Sequence, residues 1–416
     1  MAAVLVLATS LPAVAAGFLI RENSAVGVGT SYAGQGSRAD AAETAFANPA
    51  GMTRLSSDEI EAGGAIILPD FQFNGSATAF GAPISGNNGG NSGKVAAVPS
   101  LYGVFSLSDK WKAGLAVTVP FGNASEYDSA WYGRYLGIKT SALSYDINPT
   151  LAYRVTDRLS VAAGFSAQYL KLDVTTAIAQ SIIARAPVPD ATYRFNAHDW
   201  SFGFNLGALV DVSDRTRVGV YYRSQVDHTL DGSLTFSGAS PLLGLISGPA
   251  NSDISLPDTA GISLTTDLDP DLSVSGEVQF THWDLFKNVV IKSQNPPFDN
   301  VENFRNSWMV AASATYRLSP QWTIRSGISW DQTPVVSAFR SVSLPDTDRY
   351  LLGAGMSYQV SESMIFDGAY GHSFAFLRPN MDVSANNTDS ITHAVVLKGR
   401  YDIAVDILAF SVRYKL

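Results

Sequence analysis

The 416-residue chain contains no cysteine, so no disulfide or thiolate chemistry contributes to its fold. Charge is scarce: Asp, Glu, Lys and Arg make up 16% of the residues, against roughly 25% in an ordinary soluble domain. The balance is acidic, with 28 basic and 37 acidic residues, and no basic stripe occurs. That excludes a nucleic-acid partner. After residue 20 no long apolar run occurs, although a membrane helix needs about 20 apolar residues. A helical membrane protein is therefore excluded. No G-x-S-x-G elbow occurs, and the five His (His198, His228, His282, His372, His393) lack metal-ligand spacing. The Gly pairs at Gly27 and Gly353 lack the strand–helix context of a dinucleotide site. The reading is of a non-enzyme with no catalytic residue, cofactor or metal.

Glycine and aromatics are abundant, with Gly 35, Phe 21, Tyr 17 and Trp 7. The dominant signal is long period-two alternation. Trp111, Ala113, Leu115, Val117 and Val119 share one face; so do Val161, Ala163, Phe165, Ala167 and Tyr169, and Trp200, Phe202, Phe204, Leu206 and Ala208. Trp322, Ile324, Ile328 and Trp330 repeat the pattern. Such alternation puts one class of side chain on each face of a sheet, and these runs exceed the usual five or six residues of a soluble strand.

Short polar turns punctuate the runs: SLSDKW, RVTDRL, DVSDRT, DLDPDL, RLSPQW and QVSESM. Their central residues Asp109, Asp157, Asp214, Asp271, Pro320 and Glu362 are 48, 57, 57, 49 and 42 positions apart. Six turns join twelve strands, and one more at each end makes fourteen. The opposite connections are long and rich in Gly, Asn, Ser and Pro, as in residues 80–94 and 237–253. Short turns at one end and long loops at the other are the asymmetry of an outer-membrane β-barrel. A propeller, the alternative for repeats near 50 residues, would need four short strands per interval rather than two long ones. The last residues, ILAFSVRYKL, alternate to the final Leu416, as a closing strand must.

The start, MAAVLVLATSLPAVAAGF, reads as a signal peptide over 1–15 with an Ala13-Val14-Ala15 cleavage site. It lacks a charged n-region, so either the true start lies upstream or the chain is trimmed. Residues 16–58 are rich in Gly, Ala and Ser with little alternation, and read as a compact plug; residues 59–416 read as the barrel.

The run GFLIRENSAVGVGTSYAGQGSRADAAETAFANPAGM resembles the N-terminal hatch of the FadL family of outer-membrane transporters of long-chain fatty acids. LPDTDRYLLGAGMSY, WTIRSGISWDQTPV and HWDLF resemble strand segments of that family. The resemblance implies an all-β transmembrane barrel of fourteen antiparallel strands with a small, partly helical hatch in the lumen. It implies passive uptake of long-chain fatty acids or other hydrophobic molecules, with aromatic hydrocarbons as the alternative substrate. It also implies a monomer bedded in outer-membrane lipid and lipopolysaccharide. A general porin and a surface adhesin are the readings of another class.

Carried onto this chain, the resemblance makes Phe18, Asn48, Pro49 and Ala50 hatch and gate residues. Asn48-Pro49-Ala50 would end a hatch helix. Gly114 is the candidate for a kink in the third strand, with Pro120 at its end, or simply a small lumen residue. Arg305 stands where the family places a basic headgroup contact. A second such contact has no match, with Thr176 in its place and Lys171 out of register, and Pro241–Ile246 would form an outer apolar groove.

Overall fold

A computed structural model describes residues 17–181, 188–383 and 395–416. The signal-peptide segment lies outside the described residues. Fourteen strands close into one antiparallel barrel: β1 Glu59–Ala79, β2 Ala96–Ser106, β3 Trp111–Thr118 with Gly122–Glu126, β4 Lys139–Arg154, β5 Leu159–Ile178, β6 Ala191–Asp211, and β7 Thr216–Arg223 with Val226–Ser237. They continue as β8 Gly248–Leu256 with Thr259–Asp267, β9 Leu272–Thr281, β10 Ser307–Arg317, β11 Trp322–Asp331, β12 Arg349–Gln359, β13 Met364–Phe374 and β14 Val395–Lys415. Closure is made by β1 on β14, from Glu59 opposite Lys415 to Ala79 opposite Val395. The edge that an open sheet would leave unpaired is thereby removed. Among the described residues no helix is long and apolar enough to cross a membrane.

The six short turns share one hydrogen-bond pattern. Leu107, Val155, Val212, Leu268, Leu318 and Val360 each donate their N–H to the carbonyl four residues on, at 2.9 Å. The following Ser108, Thr156, Ser213, Asp269, Ser319 and Ser361 accept from that same later residue's N–H through the side chain, at 2.8–3.2 Å. A short side-chain acceptor mimicking a backbone carbonyl is why Ser, Thr and Asp recur at this position.

Side-chain alternation sets the two faces. Leu115, Phe165, Phe202, Ile328 and Phe410 are exposed on the outside, where lipid replaces water. Aromatic pairs stand at both rims: Trp111 on Tyr153 and Trp322 on Tyr358, centroids 4.5 Å apart, near the short turns, and Trp200 on Tyr169 and Trp308 on Phe280 toward the loops. These are the amphipathic belts expected at membrane–water interfaces.

Residues 17–57 lie within the barrel, nearly all of them buried. Two short helices, α1 Ala25–Gly29 and α2 Thr44–Ala47, are followed by a 3-10 helix, Pro49–Arg54. This segment is held by apolar packing, as of Ala45 and Met52 among Tyr102, Val104 and Leu209, and by polar contacts to the inner wall. Ser37 Oγ meets Ser263 Oγ at 2.7 Å, Thr53 Oγ1 meets Ser160 Oγ at 2.7 Å, and Ala42 N–H donates to Glu59 at 2.7 Å. Arg54 pairs with Asp211 on the wall, while Arg38 pairs with Glu43 inside the segment. Asn48 ends α2, its N–H donating to Thr44 O, and starts the 3-10 helix, its Oδ1 accepting from Ala50 N–H at 3.2 Å. Pro49 follows at the first helical position, where its missing N–H costs nothing.

Candidate functional site: a broken strand, an aromatic cap and two cavities

The third strand is where the wall departs from regularity. β3 pairs with β2 from Leu101–Val117 to Ser106–Lys112, and with β4 from Trp111–Tyr153 to Thr118–Asp146. The ladder then stops at Val119-Pro120-Phe121, since proline has no N–H to give it. It resumes as Gly122–Glu126 against β4, with only an isolated bridge from Ser125 to Gly93 on its other side. The N-terminal segment takes up the freed groups. Ile20 N–H donates to Pro120 O and Gly122 N–H to Phe18 O, both at 2.8 Å, and Leu19 bridges Phe121 antiparallel. Val119 N–H donates to Asn23 Oδ1 at 3.2 Å. The interruption is at Pro120 and not at Gly114, which sits in unbroken ladder opposite Val104 and Thr150. Gly114 faces inward, where a Cβ would stand 2.3 Å from Met52 Sδ and 2.5 Å from Thr150 Oγ1. It is the small lumen residue of the two sequence readings.

Phe18 leads an aromatic cluster. Its ring is 4.7 Å from Trp283, 5.2 Å from Phe286 and 6.0 Å from Phe121. Phe304 completes the group, 5.7 Å from Trp283 and 5.0 Å from Phe286. Trp283 and Phe286 come from the 282–286 stretch, which forms a 3-10 helix, Trp283–Leu285, rather than the strand its resemblance suggested. Edge-on rings at these separations add about 0.5–1.5 kcal/mol per pair beyond their burial. Gly17 N–H donates to Asp346 Oδ2 at 3.0 Å, which also accepts from Thr333 at 2.6 Å. Burial pushes the Asp346 carboxyl up, against the opposing pull of Arg349, Thr333 and Gly17.

Cavities lie on either side of this cap. The outer one has about 1070 Å³ of unfilled space including its mouth. Phe18, Leu170, Leu172, Ile254, Ile291 and Leu344 give it an apolar wall. The charged residues in that wall are Asp299 and Glu302; no Lys, Arg or His lines it among the described residues. The inner cavity, about 840 Å³, runs between Leu19, Ile20, Pro120 and Phe121 and the wall of β6 to β9. Its cations are already engaged: Arg21 donates to Asp331 at 2.7 Å and Gln279 at 3.0 Å. Arg223 donates to Asp146 at 3.2 Å and Phe46 O at 3.0 Å, and lies 3.9 Å over the Phe46 ring. Among the described residues no group of three or more His, Asp or Glu converges as a metal site.

The structure brings Phe18 to the wall of the outer cavity and Pro49 to that of the inner one. Asn48 and Ala50 lie deeper among α2 and the 3-10 helix, fully buried. Thr176 lines the outer cavity, but Arg305 does not; it is exposed, with Nε donating to Thr333 O at 3.3 Å. Phe304 next to it takes the inward position, because neighbours along an extended chain face opposite ways. Lys171 likewise points outward. Pro241–Ile246 stands apart from the cavity, with Leu242 92% exposed. Sequence reasoning missed Phe121, Trp283, Phe286, Phe304 and Glu302. The signal available was Pro120 inside an alternating run and two aromatics three apart in HWDLF.

The profile of the family described as outer membrane protein transport protein (OMPP1/FadL/TodX) matches residues 5–416. A long-chain fatty acid transport protein of Escherichia coli O6:H1 is 29% identical over 396 residues, covering 88% of each chain. Outer membrane protein P1 of Haemophilus influenzae is 29% identical, covering 86% of each. Among solved structures, a Pseudomonas aeruginosa FadL homologue superposes with a TM-score of 0.90 at 25% identity, over 96% of this chain and 100% of that one. The Pseudomonas putida toluene transporter TodX shares the fold, with a TM-score of 0.68 at 16% identity over 96% and 99%. With its fourteen-stranded barrel and a match over nearly its whole length, the chain belongs to the OMPP1/FadL/TodX family of outer-membrane transport proteins.

Proposed function

We propose that the protein passively imports long-chain, largely apolar molecules, fatty acids and related acyl compounds first among them. A ligand enters the outer cavity from the extracellular loops and passes the cap when the Phe18–Ile20 segment leaves the break in β3. One observation carries the reading: the same three residues close the outer cavity with a ring and fill the gap in the wall with backbone. Their displacement would join the two cavities and unseal the flank of β3 beside β2 in a single motion. Such a gate is physically required. At about 0.8 kcal/mol for each buried CH₂, a long chain in a fixed apolar pocket would be trapped, whereas a wet pore would offer it nothing.

A second reading, uptake of aromatic hydrocarbons, is favoured by the absence of any cation lining the outer cavity among the described residues, since an uncharged ligand does not need one. Either way the protein acts as a transporter without catalysis. It works as a monomer surrounded by outer-membrane lipid and lipopolysaccharide, with residues 17–57 as its hatch. The test uses the absence of native cysteine. Leu19 and Phe121 are paired across an antiparallel bridge, a separation of about 4.5–5.5 Å that a disulfide can span. In Leu19→Cys/Phe121→Cys, oxidation should stop uptake of a labelled fatty acid and reductant should restore it. Equal uptake in both states would refute the gate.

A further inference from the structure

Among the described residues, two that line the outer cavity carry a buried side-chain oxygen without a hydrogen bond, Asn123 and Glu302, and only Glu302 is ionisable. Glu302 is 4% exposed and lines the wall. Its Oε1 accepts from the Asn300 amide at 2.6 Å, while Oε2 is buried and makes no hydrogen bond. Among the described residues no ion pair reaches it. The titratable groups that share its cavity wall are Asp299, Tyr193 from β6 and Tyr135 from the 127–138 loop, and the Lys287 carbonyl accepts from the Glu302 N–H. Arg340, next to Ser341, is turned away, donating to Asp346 O and Asn380 O. Tyr135 is committed to Asp190 and Asp299 is held by Asn288.

A buried carboxyl without a cation avoids the cost of charge by keeping its proton. Burial pushes Glu302 up to about 8, against the smaller opposing pull of Ser341 and Asn300. A protonated carboxyl carries an O–H donor that a carboxylate lacks. A carboxylate ligand would meet no countercharge here, only Glu302 and Asp299.

We propose that Glu302 is the polar anchor of the outer cavity, and that the cavity prefers amphiphiles whose headgroup is an uncharged oxygen acceptor, such as an ester, ketone or unionised acid, over carboxylate anions. This rests on the transport reading above and narrows its substrate class. The tail lies along Leu170, Leu172 and Ile254, and the head oxygen takes the hydrogen bond from Glu302.

The experiment is equilibrium binding of radiolabelled methyl laurate, laurate and dodecane to the full barrel in lipid nanodiscs, with empty nanodiscs as blank. Below about pH 7, methyl laurate should bind roughly fivefold tighter than dodecane, the effect of one buried hydrogen bond. The advantage should fade above about pH 8, when the donor proton is lost and the ester cannot supply one. Glu302→Gln keeps an N–H donor and should hold the advantage at every pH. Glu302→Leu should erase it while leaving dodecane binding unchanged, which also shows that the variant is folded. Laurate binding tighter than the ester above about pH 8, where laurate is ionised, would overturn the proposal, as would an ester advantage that survives in Glu302→Leu. Saturable binding of none of the probes would overturn the transport reading itself, and this inference with it.

Discussion

The side-chain amide of Asn48 donates to the backbone carbonyl of Ala208 in β6 at 3.1 Å. The same nitrogen donates to Gly36 O at 2.7 Å, inside the lumenal segment 17–57. Two glycines of the wall make the approach possible: a Cβ on Gly207 would lie 2.1 Å from Asn48 Oδ1, and one on Gly219 would lie 1.8 Å from Gly36 O. Asn48 thus caps two helical turns and ties them to the barrel with one side chain. That gives the Asn-Pro-Ala tripeptide a physical reason.

Asn48→Ala should loosen the lumenal segment 17–57 without unfolding the barrel. Two buried carbonyls lose their donor, worth about 2–4 kcal/mol of local stability together. Hydrogen exchange of residues 41–54 should accelerate by at least tenfold while the strands keep their protection. Gly207→Ala should produce the same pattern by steric displacement of Asn48; unchanged exchange in both would refute the tie.

Phe18→Ala removes the ring that touches Trp283, Phe286 and Phe121. Large-to-small changes of this kind cost about 3–5 kcal/mol when the site cannot collapse. Current through single barrels in planar bilayers should rise above the wild-type leak. A conductance equal to wild type would mean that the cap does not seal the passage.

The titration of Glu302 should be visible in the stability of its own loop. Its carboxyl is raised to about 8 by burial, above an unfolded value near 4.3. The stabilisation tied to the protonated form is therefore complete below about pH 4, falls as pH rises and is gone above about pH 8. Exchange protection of residues 288–302, measured against Glu302→Gln at each pH, should decline across that window in wild type alone. Parallel profiles would mean that the carboxyl is not buried.

Lipid and lumen faces should respond oppositely to charge. Ile328→Arg places a cation on the exposed outer face of β11, at a cost of about 2–4 kcal/mol near the bilayer midplane. Arg325, three residues earlier on the inner face, is native and buried beside Asp367. Denaturant titration of barrels in vesicles should register the Ile328→Arg loss, and no loss would place that face away from lipid.

The barrel was legible because its information is local. Alternation fixes which face of β5 or β6 meets lipid, and six copies of a five-residue turn fix where strands reverse. Each can be read from residues adjacent in the chain. A closing strand reveals itself in the same way, by alternation from Leu408 to Leu416. The lumenal segment showed itself in its Gly, Ala and Ser content and low alternation, while a hatch role came only from the resemblance, since these residues carry no periodicity of their own.

What the tertiary structure alone decided is who meets whom across the lumen. Pro120 announced a break, but only the fold showed that Phe18 and Ile20, a hundred residues earlier, supply its hydrogen bonds. Arg305 and Phe304 are neighbours in sequence and opposite in direction, so the cation expected in the cavity points away and a ring takes its place. Glu302 gave no sign as one acid among 37 Asp and Glu. Its role arises from burial beside residues of β5, β8 and the 332–348 loop, and burial is a property of the closed barrel rather than of any stretch of chain.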